Sequence, residues 1–291
     1  MLKSNPPFMG CEADFDEARI VLFGAPFDST TSFRPGTRFA SAAMRSESYG
    51  LELYSPYQDL HMDGIRVFDA GDLELCFGDT AKALAQIEGF TQEILSAGKT
   101  PFMIGGEHLV SLGAVRAVFA KYPDLCVVHF DAHTDLREEY LGTRLSHATV
   151  LRRIWDMVGD DRIWQYGIRS GEKAEFEWAR SHTHLHRFDV NNISAALAGA
   201  GDRPVYLTID LDVLDPAYFP GTGTPEACGV TPQALREALL QVGGLNVVGC
   251  DIVELSPHYD MSGASTATAL HIWRELLLRL EKRYLEKPVL V

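Results

Sequence analysis

Two apolar stretches, LCVVHFDAHTD (125–135) and VYLTIDLDVLDP (205–216), decide the fold prediction. In each stretch, a run of apolar, often β-branched residues is followed directly by acidic residues. Strands that are covered by helices on both faces read as continuous apolar runs, whereas strands with one solvated face alternate. The two stretches therefore predict interior strands of a parallel sheet, with acidic loops at their carboxyl ends.

Similar apolar runs recur along the chain and predict a sheet of many strands. The other predicted strands are 19–24, 65–69, 100–105, 162–167 and 246–253. Helical patterns lie between the strands, at 79–97, 111–121, 147–158, 172–182, 231–242 and 266–284. This alternation, with right-handed crossovers, predicts an α/β fold whose mostly parallel sheet has helices on both faces. No Pro/Ser-rich linker divides the chain, so we expect residues 1–291 to form a single domain.

The composition is that of a globular protein and argues against several classes of partner. The 291 residues include 26 basic and 40 acidic side chains, for a formal net charge of −14. Nucleic-acid and anionic-membrane partners need a basic surface, so neither is expected. The five cysteines are scattered without a C-x-x-C spacing, which favours a reducing compartment. Without an apolar run typical of a signal peptide or membrane span, the sequence predicts a cytoplasmic protein.

Charged and imidazole side chains follow four of the predicted strands. In extended chain, residues two apart share a face, and parallel strands bring their carboxyl ends to one edge of the sheet. We therefore expect these side chains to lie close together. They are Asp131, His133 and Asp135 after the strand at 125–130, Asp210 and Asp212 after the strand at 205–209, His108 after the strand at 100–105, and Glu254 at the end of 246–253.

Gathered carboxylates of this kind require cations, because four Asp side chains without a basic residue would repel one another. Four Asp and two His exceed the tetrahedral coordination of one zinc ion, but they suit two divalent ions that share carboxylates and leave a position for water. Oxygen-rich ligation with some imidazole and no thiolate favours Mn²⁺, with Zn²⁺, Fe²⁺, Co²⁺ or Ni²⁺ as alternatives. A calcium loop fits poorly, because Leu136 and Gly142 stand where an EF-hand needs Gly and Glu.

Three motifs, in this order and spacing, resemble the metal-binding signatures of the ureohydrolases, the family of arginase and agmatinase. They are GGEH (105–108), DAHTD (131–135) and DLDVLDP (210–216). Further stretches look specifically like the agmatinase branch, namely 24–45, 221–231 and 253–260. The chain departs from the family pattern at Glu107, where many members have Asp, and at Ala148, where Gly is frequent.

The resemblance implies a three-layer α/β/α arginase-like fold with an eight-stranded, mostly parallel sheet, two Mn²⁺ per subunit, and assembly as a homotrimer or homohexamer. It also implies the ligands of each ion. The first ion would be bound by His108, Asp131, Asp135 and Asp210, and the second by Asp131, His133, Asp210 and Asp212, with Asp131 and Asp210 bridging.

The implied reaction is hydrolysis of agmatine to urea and putrescine, a polyamine-biosynthesis step, by attack of a metal-bridging hydroxide on the guanidinium. Glu254 would bind the small cationic guanidino substrate, Asp135 would relay a proton to the leaving amine, and His147 would exchange protons with solvent. The acidic residues Glu138 and Glu139 would favour a dicationic substrate, although Arg137 beside them would suit a carboxylate. Arginine, guanidinobutyrate and aminopropylagmatine therefore remain alternative substrates.

Two other functional classes compete with this interpretation. A non-catalytic sensor of metal or polyamine would keep the ligands without turnover. A metal-dependent deacylase on the same architecture would bind one Zn²⁺ rather than two ions.

Two further patterns receive a structural interpretation. His182, His184 and His186 alternate like a metal-binding tract but lack nearby acids, so we interpret them as a solvated strand face. Cys126 and Cys250 lie in apolar strands and are expected to be small buried hydrophobes.

Overall fold

The structure is a computed structural model that describes residues 1 and 3–286, and the backbone alone of residues 284–286. Residues 2 and 287–291, which the single-domain prediction includes, lie outside the described residues. The described strands are β1 (Ile20–Ala25), β2 (Tyr54–Ser55), β3 (Leu60–His61), β4 (Val67–Asp72), β5 (Thr100–Gly105), β6 (Cys126–Phe130), β7 (Ile163–Ile168), β8 (His184–Arg187), β9 (Val205–Asp210) and β10 (Val247–Val253). The described α-helices are α1 (Ala40–Glu47), α2 (Thr80–Ser96), α3 (Val110–Lys121), α4 (Val150–Val158), α5 (Lys173–His182), α6 (Ser194–Ala200), α7 (Pro232–Val242) and α8 (Ala264–Glu286).

Eight of these strands form one sheet in the order β4-β1-β5-β10-β9-β6-β7-β8. Every pair of neighbours in this sheet is parallel. The separate pair β2 and β3 is antiparallel. The prediction of an eight-stranded parallel sheet in an arginase-like α/β fold is confirmed.

Alternate residues of the central strands enter two apolar cores, one on each face of the sheet. In β1, Ile20 and Leu22 belong to the core that includes residues of α1, α6, α7 and α8. Val21 and Phe23 belong to the opposite core, with residues of α2, α3, α4 and α5. Both faces of the strand are therefore apolar, which explains the continuous apolar runs. Full burial of one such side chain stabilises the fold by about 1.5–3 kcal/mol.

The sequence patterns did not predict α1 and α6, which have eight and seven residues. Helices of about two turns contain too few positions for a periodic pattern to emerge. The helix predicted from residue 147 begins instead at Val150, because His147–Thr149 form a turn of 3₁₀ helix that Ser146 caps. No helix within the described residues has both the length and the apolar character that a bilayer span requires.

Four adjacent central strands, β5, β10, β9 and β6, carry the loops that the sequence analysis selected. The turn after β5 is especially tight at Gly106. A Cβ atom at this position would lie 1.9 Å from the carbonyl oxygen of Phe27. Glycine thus permits the segment after β1 to pack against the turn that carries His108.

We expect Gly106→Ala to lower the free energy of unfolding by about 1–3 kcal/mol or more, because the new methyl group would displace backbone. The matched control is Gly89→Ala in α2, where a Cβ atom meets nothing within 4 Å. Removing a helical glycine should raise stability by about 0.5–1 kcal/mol. Urea denaturation of both variants measures the difference, and equal stability of the two would contradict the close packing at Gly106.

Candidate functional site

Six side chains at the carboxyl edge of the sheet converge into two connected groups. In the first, Nδ1 of His108 lies 3.1 Å from Asp131 Oδ2, 3.1 Å from Asp135 Oδ2 and 3.4 Å from Asp210 Oδ2. In the second, Nδ1 of His133 lies 3.0 Å from Asp212 Oδ2 and 3.4 Å from Asp131 Oδ1. Asp131 therefore directs one carboxylate oxygen to each group.

The pKa values of the cluster carboxyl groups indicate that neighbouring positive charges do not balance the buried acids. Burial raises the pKa of Asp135 to about 7 and the pKa of Asp210 well above its usual range, with neighbouring carboxylates acting in the same direction. Burial also disfavours ionised Asp131, but the adjacent His129, His108 and His133 hold the pKa of this carboxyl well below its usual range. The acids thus need either protons or bound cations to remain together.

The donor chemistry fits divalent metal ions. Among the described residues, groups of ligand atoms within 4.8 Å of one another occur at His108, His129 and Asp131, and at Asp131, His133 and Asp212. The donors are carboxylate oxygens and imidazole nitrogens without thiolate, which suits Mn²⁺ and borderline ions such as Zn²⁺. Because Asp131 belongs to both groups, the geometry allows a carboxylate that bridges two ions.

His129 was not selected from the sequence, and its hydrogen bonds distinguish it from a ligand. The side-chain amide of Gln165 donates from Nε2 to the carbonyl of Thr134 at 2.9 Å, while its Oε1 accepts from the Thr183 hydroxyl at 3.0 Å. The second Nε2 hydrogen faces His129 Nδ1 at 3.1 Å. Since an amide NH₂ can only donate, Nδ1 accepts and Nε2 of His129 carries the proton. That Nε2–H donates to Asp131 Oδ2 at 2.8 Å.

A second buried network orients His108. Its Nε2 lies 3.0 Å from the Thr208 hydroxyl. Thr208 and Tyr206 donate their hydroxyl protons to the two oxygens of Asp251, each at 2.6 Å. Since the Thr208 hydroxyl donates its proton to Asp251, its oxygen accepts from Nε2–H of His108. The lone pair of the neutral His108 ring therefore lies on Nδ1. That lone pair faces three carboxylates, an arrangement that a bound cation would satisfy.

Glu254 lines a cavity of about 280 Å³ beside the cluster. Its Oε1 accepts from the backbone N–H of His108 at 2.7 Å, and burial raises the pKa of its carboxyl well above the usual range. Glu254 and Asp135 both have left-handed backbone, with φ of 66° and 53°. Such conformations are uncommon outside glycine and concentrate at functional sites.

His147 also lines this cavity. Its backbone N–H donates to the Thr30 hydroxyl at 3.0 Å, and its Nε2 lies 3.4 Å from the Ser32 hydroxyl. The ring of Tyr140 packs edge-on against the imidazole, with centroids 5.7 Å apart. Burial lowers the pKa of His147 to about 4, helped by the positive charges of neighbouring groups, so the ring is neutral at pH 7.

Comparisons with known proteins agree with this architecture. The family model described as the arginase family matches residues 18–278. An agmatinase of Bacillus anthracis is 46% identical over 279 residues, which are 94% of this chain and 96% of the relative. A crystal structure of a candidate agmatinase from Clostridium difficile matches with a TM-score of 0.91 and 50% identity, over 93% of this chain and 100% of that one. The crystal structure of agmatine ureohydrolase from Thermoplasma volcanium matches with a TM-score of 0.89 and 34% identity, over 99% and 97% of the two chains.

The chain belongs to the arginase family. It is therefore an enzyme of the ureohydrolase class, and the resemblance drawn from the three motifs is confirmed. The roles assigned to individual site residues stay predictions. Their convergence at one edge of the sheet, however, is what those roles require.

The acidic residues Glu138 and Glu139 do not contribute to the cavity of this arginase-family enzyme, contrary to their suggested influence on substrate choice. The Glu138 carboxylate instead pairs with Arg144, Arg152 and Arg153 at 2.8–3.3 Å. Arginine side chains from α4 and the segment before it reach Glu138, a contact that sequence spacing did not indicate. Two other acids, Glu172 and Glu175, line the cavity in their place.

The prediction that the histidine tract lacks nearby acids is wrong, because His182, at the end of α5, lies 2.7 Å from Asp160, and His184 lies 3.6 Å from Asp161. His184 and His186 lie on the edge strand β8, and their rings stack on Trp164 and Tyr166 of β7 with centroids 4.9 and 4.6 Å apart. Both histidines are half-buried, so the face is only partly solvated. Cys126 and Cys250 are buried, as predicted.

Arg169 is a further residue that the sequence analysis missed. Its guanidinium donates to the backbone carbonyls of Asp212, Val213 and Leu214 on one side, and to those of Glu226 and Ala227 on the other. It thereby joins the segment that carries Asp212 to the loop at 221–231. A single arginine after a strand carries no recognisable signal, because its partners are backbone atoms.

We expect His129→Phe to weaken Mn²⁺ binding by about 10- to 100-fold, because Asp131 loses the donor that orients it. Titration of metal-free protein against a chelating indicator measures the affinity. The matched control is His184→Phe on β8, outside the cluster, which should bind Mn²⁺ normally. Unchanged affinity in His129→Phe would contradict an orienting role.

We also expect the metal-free protein to lose thermal stability as the pH rises from about 5 to about 8. Acids with raised folded-state pKa values, such as Asp135 and Asp210, favour folding while protonated, and this contribution is lost as the pH rises through those values. His108 and His133 act in the same direction, because their carboxylate partners overcome burial and raise the pKa of each ring.

Addition of Mn²⁺ at about pH 8 should restore the Tm, because dications replace the lost protons. Differential scanning calorimetry with and without Mn²⁺ measures both effects. A Tm of metal-free protein that is constant or increases over this pH range would refute the assignment.

Proposed function

We propose that this enzyme is a Mn²⁺-dependent agmatinase, which hydrolyses agmatine to urea and putrescine. The observation that carries the proposal is a cluster of four Asp and two His, all buried except the half-buried His133, beside a cavity that Glu254 also lines. Similarity to agmatinases along nearly the whole chain supports the substrate.

We infer that the cluster would hold two Mn²⁺ ions, and that Asp131 and Asp210 would be ligands of both. Support comes from Asp131, whose two oxygens face His108 and His133 separately. The proposed ligands are His108, Asp131, Asp135 and Asp210 for the first ion, and Asp131, His133, Asp210 and Asp212 for the second. When bound, such ions lower the pKa of water and supply hydroxide at neutral pH.

The chain's own residues orient the guanidinium. Oε1 of Glu254 is held by the His108 N–H, so the carboxylate has a fixed position at the cavity wall. A guanidinium offers charge-assisted and bidentate hydrogen bonds to such a carboxylate. Its positive charge also favours the ionised form of Glu254, which burial opposes.

Asp135 and His147 are proposed to move protons. Asp135 lines the cavity and lies 3.1 Å from Nδ1 of His108, so its carboxylate is placed to relay a proton between the cluster and the substrate. His147 is neutral at pH 7 and lies at the cavity wall, where it can exchange a proton with solvent. The leaving amine would receive its proton along this route.

The charge at the cavity mouth supports a dicationic substrate. Arg137 lies 3.3 Å from Glu172 and 3.5 Å from Glu175, so two acids already offset its single charge. A substrate carboxylate, as in arginine or guanidinobutyrate, would meet this net negative charge. The distal ammonium of agmatine would interact favourably with Glu172, whose side chain is 62% exposed.

With Mn²⁺ loaded, we expect agmatine to release urea and putrescine with a kcat/KM at least about 100-fold above those for arginine and guanidinobutyrate, a preference of about 2.8 kcal/mol. Aminopropylagmatine completes the substrate panel. Asp210→Asn serves as the negative control and should lose both metal and activity. Absence of urea from agmatine at full metal occupancy would refute the proposal, as would faster turnover of guanidinobutyrate.

We expect Glu172→Gln to raise KM for agmatine by about 10-fold with little change in kcat, because the proposed contact is distant from the reacting carbon. The same substitution should improve turnover of guanidinobutyrate. Glu139→Gln, at an exposed acid outside the cavity lining, is the matched control. An unchanged KM in Glu172→Gln would contradict the proposed contact between Glu172 and the distal ammonium of agmatine.

Four further expectations remain predictions. We infer that the chain forms a single domain, which is supported by one sheet that receives strands from Ile20 to Val253. Homotrimeric or homohexameric assembly can be tested by light scattering. A cytoplasmic location and a place in polyamine biosynthesis can be tested by cell fractionation and by putrescine analysis.

A further inference from the structure

Glu107 is a fully buried carboxylate that does not line the cavity. Its two oxygens accept three hydrogen bonds, all from one loop. The donors are the Thr30 N–H at 2.8 Å, the Thr30 hydroxyl at 2.5 Å and the Thr31 hydroxyl at 3.3 Å. A carboxyl group suits this task, because both of its oxygens can accept hydrogen bonds.

The network continues from Thr30 to His147. The Thr30 hydroxyl gives its only proton to Glu107, so its oxygen is free to accept from the backbone N–H of His147 at 3.0 Å. Two residues further along the same loop, the Ser32 hydroxyl lies 3.4 Å from Nε2 of the imidazole. The loop that Glu107 holds therefore contacts both the backbone and the ring of His147.

The other end of this network is rigid. The backbone N–H of Glu107 donates to the Phe27 carbonyl at 2.8 Å, next to the tightly packed Gly106. His108, the following residue, contributes its ring to the carboxylate cluster and its N–H to Glu254. Glu107 and His108 are consecutive residues. His108 contacts the carboxylate cluster, and Glu107 contacts the loop that supports His147.

We propose that Glu107 is a positioning residue that acts through Thr30 to hold His147 at a fixed place relative to the carboxylate cluster. Glu107 does not line the cavity, and the proposal places its effect on turnover at His147. This inference rests on the proposed function in one respect, the proton-shuttle role of His147.

Kinetics of single and double variants test the proposal. Glu107→Gln replaces one acceptor oxygen with an NH₂ group that Thr30 cannot donate to. We expect kcat for agmatine to fall by about 10- to 100-fold, the scale of a small misplacement of a catalytic group, with KM within about twofold. In a His147→Asn background, Glu107→Gln should cause no further loss of kcat. Glu93→Gln, at an exposed site on α2, is the control for the substitution.

Losses of kcat that multiply in the double variant would overturn the proposal. Reduced metal content in Glu107→Gln, measured by elemental analysis, would also overturn it, because Glu107 would then serve the cluster itself. If Glu107→Gln does not fold, Thr30→Val tests the same connection from its other end. It should show the same fall in kcat and the same absence of effect in the His147→Asn background.

Hydrogen exchange followed by mass spectrometry tests the link without turnover. The amides of Thr30 and His147 should exchange faster in Glu107→Gln, because both hydrogen bonds depend on the carboxylate. Unchanged exchange in both peptides would overturn the proposal. If wild-type protein released no urea from agmatine, the proposed function would fail, while the exchange result would still decide the role of Glu107.

Discussion

Repulsion among buried carboxylates is the constraint on which the rest of the structure depends. Asp131, Asp210 and Asp212 lie almost fully buried at the ends of β6 and β9. In the part of the chain that the structure describes, the ion-pair partners of Asp131 are imidazoles rather than Lys or Arg. Isolated buried charges cost several kcal/mol each, so the cluster is stable only when protons or metal ions compensate it. Two apolar cores, one on each face of the sheet, provide the stability that offsets this cost.

The polar residues inside the central strands follow from the same constraint. A ligand that competes with several neighbouring acids must present the correct atom in the correct direction. Thr208 and Asp251 provide this for His108, and Gln165 provides it for His129. Each of these side chains has hydrogen-bond partners, which matters because a buried polar group left unsatisfied costs about 1–3 kcal/mol. The cluster is thus supported by strands, whose backbone is rigid, and not by loops alone.

Sequence patterns predicted seven apolar strands of the large sheet and the convergence of the six cluster residues, because both depend on local periodicity and on the direction of parallel strands. They did not predict β2 and β3, which have two residues each. They were less accurate beyond the strand ends. Extended geometry places Asp131, His133 and Asp135 on one face, yet β6 ends at Phe130 and Asp135 adopts left-handed backbone. Asp135 consequently joins His108, while His133 joins Asp212. The patterns missed the contact of His129 with Asp131 and the ion pairs of Glu138 with arginines. Both depend on tertiary contacts that no local pattern encodes.

The proposed substrate would complete the charge balance of the site. Burial favours the protonated form of Glu254, whereas the hydrogen bond from the His108 N–H and a bound cation favour the ionised form. A neutral ligand would offer Glu254 no charge-assisted hydrogen bond. At the mouth, Arg137 is already offset by Glu172 and Glu175, so a carboxylate gains little there and a second cation gains more. A molecule with a guanidinium at one end and an ammonium at the other, such as the proposed substrate, would satisfy both requirements.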